Sequence, residues 1–328
     1  MFAEIGMLGS ALVLLAALLA IVKSSDVVVT NAVKISGATG FGKTTIGFLI
    51  VAFSTTLPEL FVSVFSAADP ETIGVALGNA LGSNVTNIAL VLGICFLILT
   101  MKKSRSTQLS TGTTKEEIKR LHFGLFVASI VPLTLLYIGY ASQFVGVILF
   151  GIFAFNLYML SKVRDNKNGN HTELEKSQLK RCALLFAGGA AGVVACAYFI
   201  VNSASFIAEG LGVPSVVIGA TIVAFGTSVP ELANSLTSTR KGHLDLALGN
   251  IVGAGFINMT LILGVALIAS PLRVEVAAFT NVAIFSLIVT LFLWYFLSNE
   301  KITWREGALL IMLYAVFLVT SFGGYNST

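Results

Sequence analysis

Two glutamates, Glu59 and Glu231, stand in stretches that are otherwise apolar or neutral, and each closes the same local phrase. The first reads I-G-F-L-I-V-A-F-S-T-T-L-P-E-L from Ile46 to Leu60, and the second reads I-G-A-T-I-V-A-F-G-T-S-V-P-E-L from Ile218 to Leu232. At a constant offset of 172, ten of the fifteen positions are identical. A carboxylate at membrane depth is costly and is rarely kept without a function. Two of them, each directly after a proline in matching segments, predict a paired-carboxylate cation site at the interface of two repeats, as in many secondary transporters. A structural ion pair is the competing explanation, but no Lys or Arg lies inside any predicted span.

The residues around each glutamate fit cation chemistry. Thr55, Thr56 and Glu59 fall at i, i+1 and i+4, so one helix face presents two hydroxyls and a carboxylate, and Thr227, Ser228 and Glu231 repeat the pattern. Ser63 and Ser235 follow one turn later and extend a polar track. Pro58 and Pro230 within helices would each remove a backbone donor and free carbonyls of the preceding turn, which are hard oxygen ligands suited to Ca²⁺. The next span of each half matches again. Leu77–Gly93 reads L-G-N-A-L-G-S-N-V-T-N-I-A-L-V-L-G, and Leu248–Gly264 reads L-G-N-I-V-G-A-G-F-I-N-M-T-L-I-L-G. Asn79, Ser83 and Asn87, spaced by four, share one face; their counterparts are Asn250, Ala254 and Asn258. These asparagines are either ligands or hydrogen-bonding glue between helices. Gly78 with Gly82, and Gly249 with Gly253, form the small-xxx-small pattern that lets helices approach closely.

These side chains must be carried by membrane-spanning helices. Of 328 residues, 56% are hydrophobic and 11% charged, with a mean hydropathy of +0.91, against about 25% charged residues in soluble domains. Ten spans are predicted, roughly 5–22, 44–66, 73–100, 122–139, 143–161, 183–208, 214–238, 244–271, 277–297 and 306–323. Residues 5–22 read as a transmembrane helix and not a signal peptide, because Met1–Gly6 carries Glu4 and no basic residue. With ten spans, 19 of the 20 basic residues fall in connections on one side, and Arg273 alone falls on the other. The positive-inside rule makes that side cytoplasmic and both termini extracellular, in the cytoplasmic membrane. Trp294 and Trp304 flank the last connection as interfacial anchors. The halves are residues 1–161, with their motif in 44–100, and 183–328, with theirs in 214–271. A polar cytoplasmic linker, 162–182, joins them. Five spans per half make the second repeat inverted relative to the first. Cys95, Cys182 and Cys196 show no metal-ligand spacing, and His122, His171 and His243 sit near loops. No nucleic-acid patch, phosphate-cradling loop or nucleophile–base set is present, so neither an enzyme nor a cofactor is expected.

The two motif pairs resemble the α-repeats of the cation/calcium exchanger superfamily, and the chain is most similar to its prokaryotic sodium/calcium exchanger branch. The carriers of the resemblance are S-T-T-L-P-E-L and G-T-S-V-P-E-L, each followed by G-N-x-x-G. The G-N-A-A-E-H type motif usual in proton/calcium exchangers of the superfamily is absent. The resemblance implies an all-α fold of ten helices in two inverted five-helix repeats. It implies antiport of Ca²⁺ against Na⁺ by alternating access, with these ions as substrates and membrane lipid around the protein. It further implies Ca²⁺ binding by Glu59 and Glu231, help from Thr55 and Thr227 with nearby carbonyls, a Na⁺ contact at Ser83 and a central place for Asn87. Repeat two departs from the family pattern G-S-N-x-x-D: Ala254 stands for the serine and Asn258 for the aspartate. That departure keeps H⁺/Ca²⁺ exchange open as the alternative, with a cation channel as a third reading.

Overall fold

The computed structural model describes residues 2–39, 53, 55–69, 72–102, 107–108, 123–133, 143–161, 176–241, 244–269, 276–298 and 301–323. The first part of the 44–66 span, the end of 122–139, most of the 101–121 loop, residues 162–175 of the linker, Arg273 and all three histidines lie outside the described residues. What is described is helical apart from turns and one two-residue strand pair.

The helices are α1 (Phe2–Thr39), α2 (Leu57–Ala67), α3 (73–102), α4 (Phe123–Leu133), α5 (Gln143–Ser161), α6 (Lys176–Leu211), α7 (Ser215–Thr227), α8 (Val229–Arg240), α9 (244–269), α10 (Val276–Ser298) and α11 (Trp304–Gly323). By length and composition six of them can cross a membrane, and α7 with α8 forms a seventh candidate bent by 46°. The shorter apolar helices α2, α4 and α5 stand where the second, fourth and fifth spans are predicted.

Two helices outrun their predicted bounds. α1 continues to Thr39 and α6 starts at Lys176, so part of the predicted linker is helix. The backbone leaves helical geometry at Gly6 (φ 68°, ψ −175°), and at 1.5 Å per residue the stretch from there to Thr39 is still about 50 Å long, well beyond the ~30 Å hydrocarbon core. The polar stretch of α1 carrying Lys23, Asp26 and Lys34 keeps the helix going where hydropathy alone ends the span. α1 and α6 pack along each other, with Gly189 and Gly192 seated against Ser24. Leu14, Ile21, Val193, Ala197 and Ile200 form their own apolar cluster, separate from the main core. α6 ends at Gly212, whose φ of 61° only glycine adopts freely. There the N–H of Gly212 reaches the Glu209 carbonyl and that of Val213 the Ala208 carbonyl, capping the helix before Pro214.

α3 and α9, the two helices bearing the second motif, are buried along most of their length in the main core. Gly74, Gly78 and Gly82 of α3 lie against the Ser215–Ala220 segment of α7, where any β-carbon would strike Ser215, Val216 or Ala220. The predicted close approach is therefore met by Gly78 and Gly82. The final glycine of each motif makes a matching contact. A β-carbon at Gly307 of α11 would lie 2.8 Å from the Gly93 carbonyl oxygen, and one at Gly146 of α5 would lie 2.8 Å from that of Gly264.

β1 (Thr107–Gln108) pairs antiparallel with β2 (Lys301–Ile302), so the connections after α3 and before α11 meet. Thr303 starts α11 with its N–H donating to Glu306 Oε2 at 2.7 Å, one arm of a capping box. Trp294 and Trp304 flank this corner, each partly exposed.

Candidate cation-binding site

Neither proline sits inside a continuous helix. Thr56 and Ser228 break the chain with nearly identical dihedrals, φ −83° and ψ 4° against φ −82° and ψ 4°. A new helix starts one residue later, with Pro58 or Pro230 in its first turn, where a missing N–H is tolerated. This revises the expectation of a kinked helix. The carbonyl of Gly226 still has no N–H to meet at Pro230. Glu59 and Glu231 thereby occupy the first turns of α2 and α8, where the unpaired N–H groups and helix dipole favour a negative charge.

Glu59 and Glu231 are both 0% exposed and are the only buried charged side chains among the described residues. They lie close enough for their charges to act on each other. Three of their four carboxylate oxygens, Glu59 Oε2 and both oxygens of Glu231, accept no hydrogen bond. The fourth, Glu59 Oε1, accepts one from Ser228 Oγ at 3.2 Å.

The two halves are stitched crosswise. Thr227 Oγ1 donates to Asn79 Oδ1 at 3.1 Å, and Thr55 Oγ1 donates to Asn250 Oδ1 at 3.5 Å. Asn79 Nδ2 in turn donates to Ser63 Oγ and to the Glu59 main-chain carbonyl, each at 3.1 Å, while Asn250 Nδ2 donates to Ser235 Oγ at 3.2 Å. Ser63 and Ser235 are buried and close these bonds, so they do not form a track to solvent. Thr56 Oγ1 turns to the Phe53 carbonyl at 3.1 Å.

Ser83, Asn87 and Asn258 are fully buried, and their side-chain polar atoms have no hydrogen-bond partner. Asn87 and Asn258 lie at the start of matching π-helical turns, Thr86–Leu92 and Asn258–Ile262; a third π-turn, Gly219–Val223, precedes the break in α7. Such turns recur at functional sites. α8, which carries Glu231, packs on the Asn87 turn, and α2, which carries Glu59, packs on the Asn258 turn. Ala254 is buried where Ser83 has its hydroxyl in the other half. Among the described residues no group of three or more His, Cys, Asp or Glu is present, so the oxygen donors here are two carboxylates plus hydroxyls, amides and main-chain carbonyls.

Sequence reasoning left open the part played by Asn79 and Asn250, which hold the threonines and serines of the site. It also missed a second buried polar set. Asn84 Nδ2 donates to Ser286 Oγ at 2.8 Å and Thr290 Oγ1 at 3.2 Å, joining α3 to α10. The polar residues at i and i+4 in an apolar span were the available signal. Cys95 and Cys182 are buried, unpaired thiols.

A buried pair of carboxylates lies between broken helices in an apolar helical bundle, a set of features that fits an ion transporter. The profile of the family described as "Sodium/calcium exchanger protein" matches residues 9–162 and 182–323, and the chain belongs to that family. Sodium/calcium exchanger MaX1 of Methanosarcina acetivorans is 31% identical over 95% of this chain and 98% of that protein. The inner membrane protein YrbG of Escherichia coli is 30% identical over 84% of each chain. Among solved structures, the sodium-calcium exchanger NCX_Mj superposes with a TM-score of 0.65 at 26% identity, covering 96% of this chain and 99% of that one. The H⁺/Ca²⁺ exchanger CAX gives 0.76 at 18% identity, covering 96% and 87%, and shares the fold.

Proposed function

We propose that this protein is a secondary antiporter of the cytoplasmic membrane that exchanges Ca²⁺ for Na⁺ by alternating access at the Glu59–Glu231 pair. One observation carries the reading: the only two buried charges among the described residues come from twin segments and meet with three of four oxygens unpartnered. Two carboxylates give the site a charge of about −2. One Ca²⁺ or two monovalent cations neutralise it, whereas the empty, doubly charged pair is costly to bury. Competition for the same oxygens is then the physical basis of exchange. The unpartnered oxygens of Ser83, Asn87 and Asn258 favour a metal cation as counter-ion, because a proton needs only the carboxylates. Thr55 and Thr227 complete the site, and freed main-chain carbonyls add hard ligands.

The reading includes ten crossings in two inverted repeats, 1–161 and 183–328, with the basic connections in the cytoplasm and both termini outside. The twin breaks at Thr56 and Ser228, the twin π-turns and the paired contacts Gly93–Gly307 and Gly146–Gly264 support it. H⁺/Ca²⁺ exchange is the second reading, favoured by the missing hydroxyl at Ala254.

The test is ⁴⁵Ca²⁺ uptake into proteoliposomes under an imposed Na⁺ gradient, an imposed pH gradient, or neither. Uptake driven by Na⁺ is the expected result. Uptake driven only by the pH gradient would select the second reading, and Ca²⁺ conduction with no counter-ion would reveal a channel.

A further inference from the structure

The second buried polar set lies where the two halves meet, and the halves contribute to it unequally. Asn84 of α3 matches Gly255 of α9 at the same offset of 171 that pairs Ser83 with Ala254. The two positions also face each other: a β-carbon at Gly255 would come within 2.6 Å of Asn84 Oδ1. Asn84 Nδ2 donates to Ser286 Oγ at 2.8 Å and to Thr290 Oγ1 at 3.2 Å, both on α10. Ser286 Oγ in turn reaches Met259 Sδ at 3.7 Å, next to Asn258, and Thr290 meets Ser129 of α4 at 3.4 Å. All of these side chains are buried. Asn84 Oδ1 is left without a partner, a cost that a leucine in its place would avoid.

The geometry of α3 shows what this bond holds. Ser83 and Asn87 stand one turn apart on one face, and neither side chain makes a hydrogen bond, so they do not fix the direction of that face themselves. Gly78 and Gly82 let α3 approach α7 closely, but a glycine contact sets no rotation. Asn79 anchors the helix one turn before Ser83. Beyond Asn79, the next side chain of α3 bonded to another helix is Asn84, just ahead of the π-turn Thr86–Leu92 that carries Asn87. At about 100° per residue, Asn84 points away from the Gly82 side, so α3 is gripped between α7 and α10. We infer that Asn84 is a positioning residue of the exchange site: its hold on α10 keeps Ser83 and Asn87 turned toward the counter-ion. The half that has the Ser83 hydroxyl has the tether, whereas the half with Ala254 has Gly255 beside it. The inference rests on the exchange reading above and adds the group that orients the Na⁺-binding face of α3.

The experiment measures ⁴⁵Ca²⁺ uptake into proteoliposomes carrying the full-length protein, with internal Na⁺ and external Ca²⁺ varied in turn. Wild type, Ser83→Ala, Asn84→Ala and the double variant are compared. Asn84→Ala should raise the half-saturating Na⁺ about fivefold and leave that of Ca²⁺ within about twofold, as expected when one net hydrogen bond no longer orients the Na⁺ ligands. In the double variant the Na⁺ shift should fall at least about threefold short of the product of the two single shifts, because residues that act through each other are not additive. An asparagine that serves stability alone would lower the melting temperature and leave both half-saturations in place. Should Asn84→Ala fail to fold, Thr290→Val, which removes one acceptor and keeps the Ser286 bond, should raise the half-saturating Na⁺ by about twofold to threefold. Unchanged half-saturating Na⁺ in whichever of these variants folds, an equal shift for both ions, or a double variant equal to the product of the single shifts would each overturn the assignment. Uptake that no Na⁺ gradient drives, or a Ser83→Ala variant with unaltered Na⁺ dependence, removes the Na⁺ part of the exchange reading and this inference with it. A shift in Ser83→Ala beside an unaltered Asn84→Ala removes this inference alone.

Discussion

Glu59 and Glu231 follow the same proline, in the first turn of the same kind of helix, after breaks whose dihedrals agree within a degree. Around Glu59 the structure is tied down: Ser228 holds the side chain and Asn79 the main chain. Around Glu231 it is the Thr55 hydroxyl that acts on the side chain, and Asn250 bonds to Ser235 and Thr55. Near-identical sequence thus yields two carboxylates in inequivalent surroundings. The cause lies in substitutions that look minor. Ser228 matches Thr56 in the other repeat, and Ser83 matches Ala254, so each half lends the other slightly different side chains.

The broadest challenge to the comparison is removal of either charge. Glu59→Gln and Glu231→Gln should each abolish Ca²⁺ transport in proteoliposomes, with a fall of at least about 100-fold, or ~2.8 kcal/mol at 1.4 kcal/mol per decade. Half of the site's negative charge is lost where the surrounding dielectric is low. Near-normal exchange in either variant breaks the paired-carboxylate scheme, whatever the difference between the two surroundings.

The next test concerns net charge. With two carboxylates and the neutral amide of Asn258, the scheme expects roughly two monovalent ions per Ca²⁺ and nearly electroneutral exchange. An imposed potential should change wild-type flux less than about twofold, although one net charge per cycle would feel ~2.3 kcal/mol per 100 mV. Asn258→Asp adds a third carboxylate on the π-turn against which the Glu59 helix packs. It should make flux respond to the potential. Strong acceleration of the wild type when the potential is reversed refutes the two-for-one count.

Packing offers a smaller lever. Gly82 has no room for a β-carbon beside Ala220, and this close approach of α3 to α7 brings Asn79 to Thr227. Gly82→Ala should cost ~1–3 kcal/mol by overpacking. Gly151, with nothing within 4 Å of a β-carbon, should accept alanine without loss. Equal melting temperatures for the two variants would deny that the glycine contact sets the tether.

The finest comparison sets Asn79→Ala against Asn250→Ala. Asn79 makes three side-chain hydrogen bonds and Asn250 two. The first variant should be the less stable by ~1 kcal/mol, the worth of one net bond. Thermal melts in the same detergent read the difference, and the opposite order contradicts the tighter hold on Glu59.

The sequence by itself determined the membrane class, the twin segments with their two matching glutamates and the glycines that permit close helix approach. Those are properties of composition, repetition and periodicity, and they survive without coordinates. It did not determine that Pro58 and Pro230 open new helices. A proline's effect depends on whether the backbone breaks just before it, and that is settled by the packing on both sides. Nor did it determine the π-turns at Asn87 and Asn258, since one extra residue in a helical turn leaves no mark on a hydropathy pattern. Hydropathy likewise ended α1 at its first charged residue, although the polar part of the helix continues beside α6. The crossed bonds from Thr227 to Asn79, Thr55 to Asn250 and Ser228 to Glu59 were decided by tertiary structure alone. Each joins residues between 148 and 195 positions apart, and a short side chain's partner is whichever group the facing helix brings within about 3 Å.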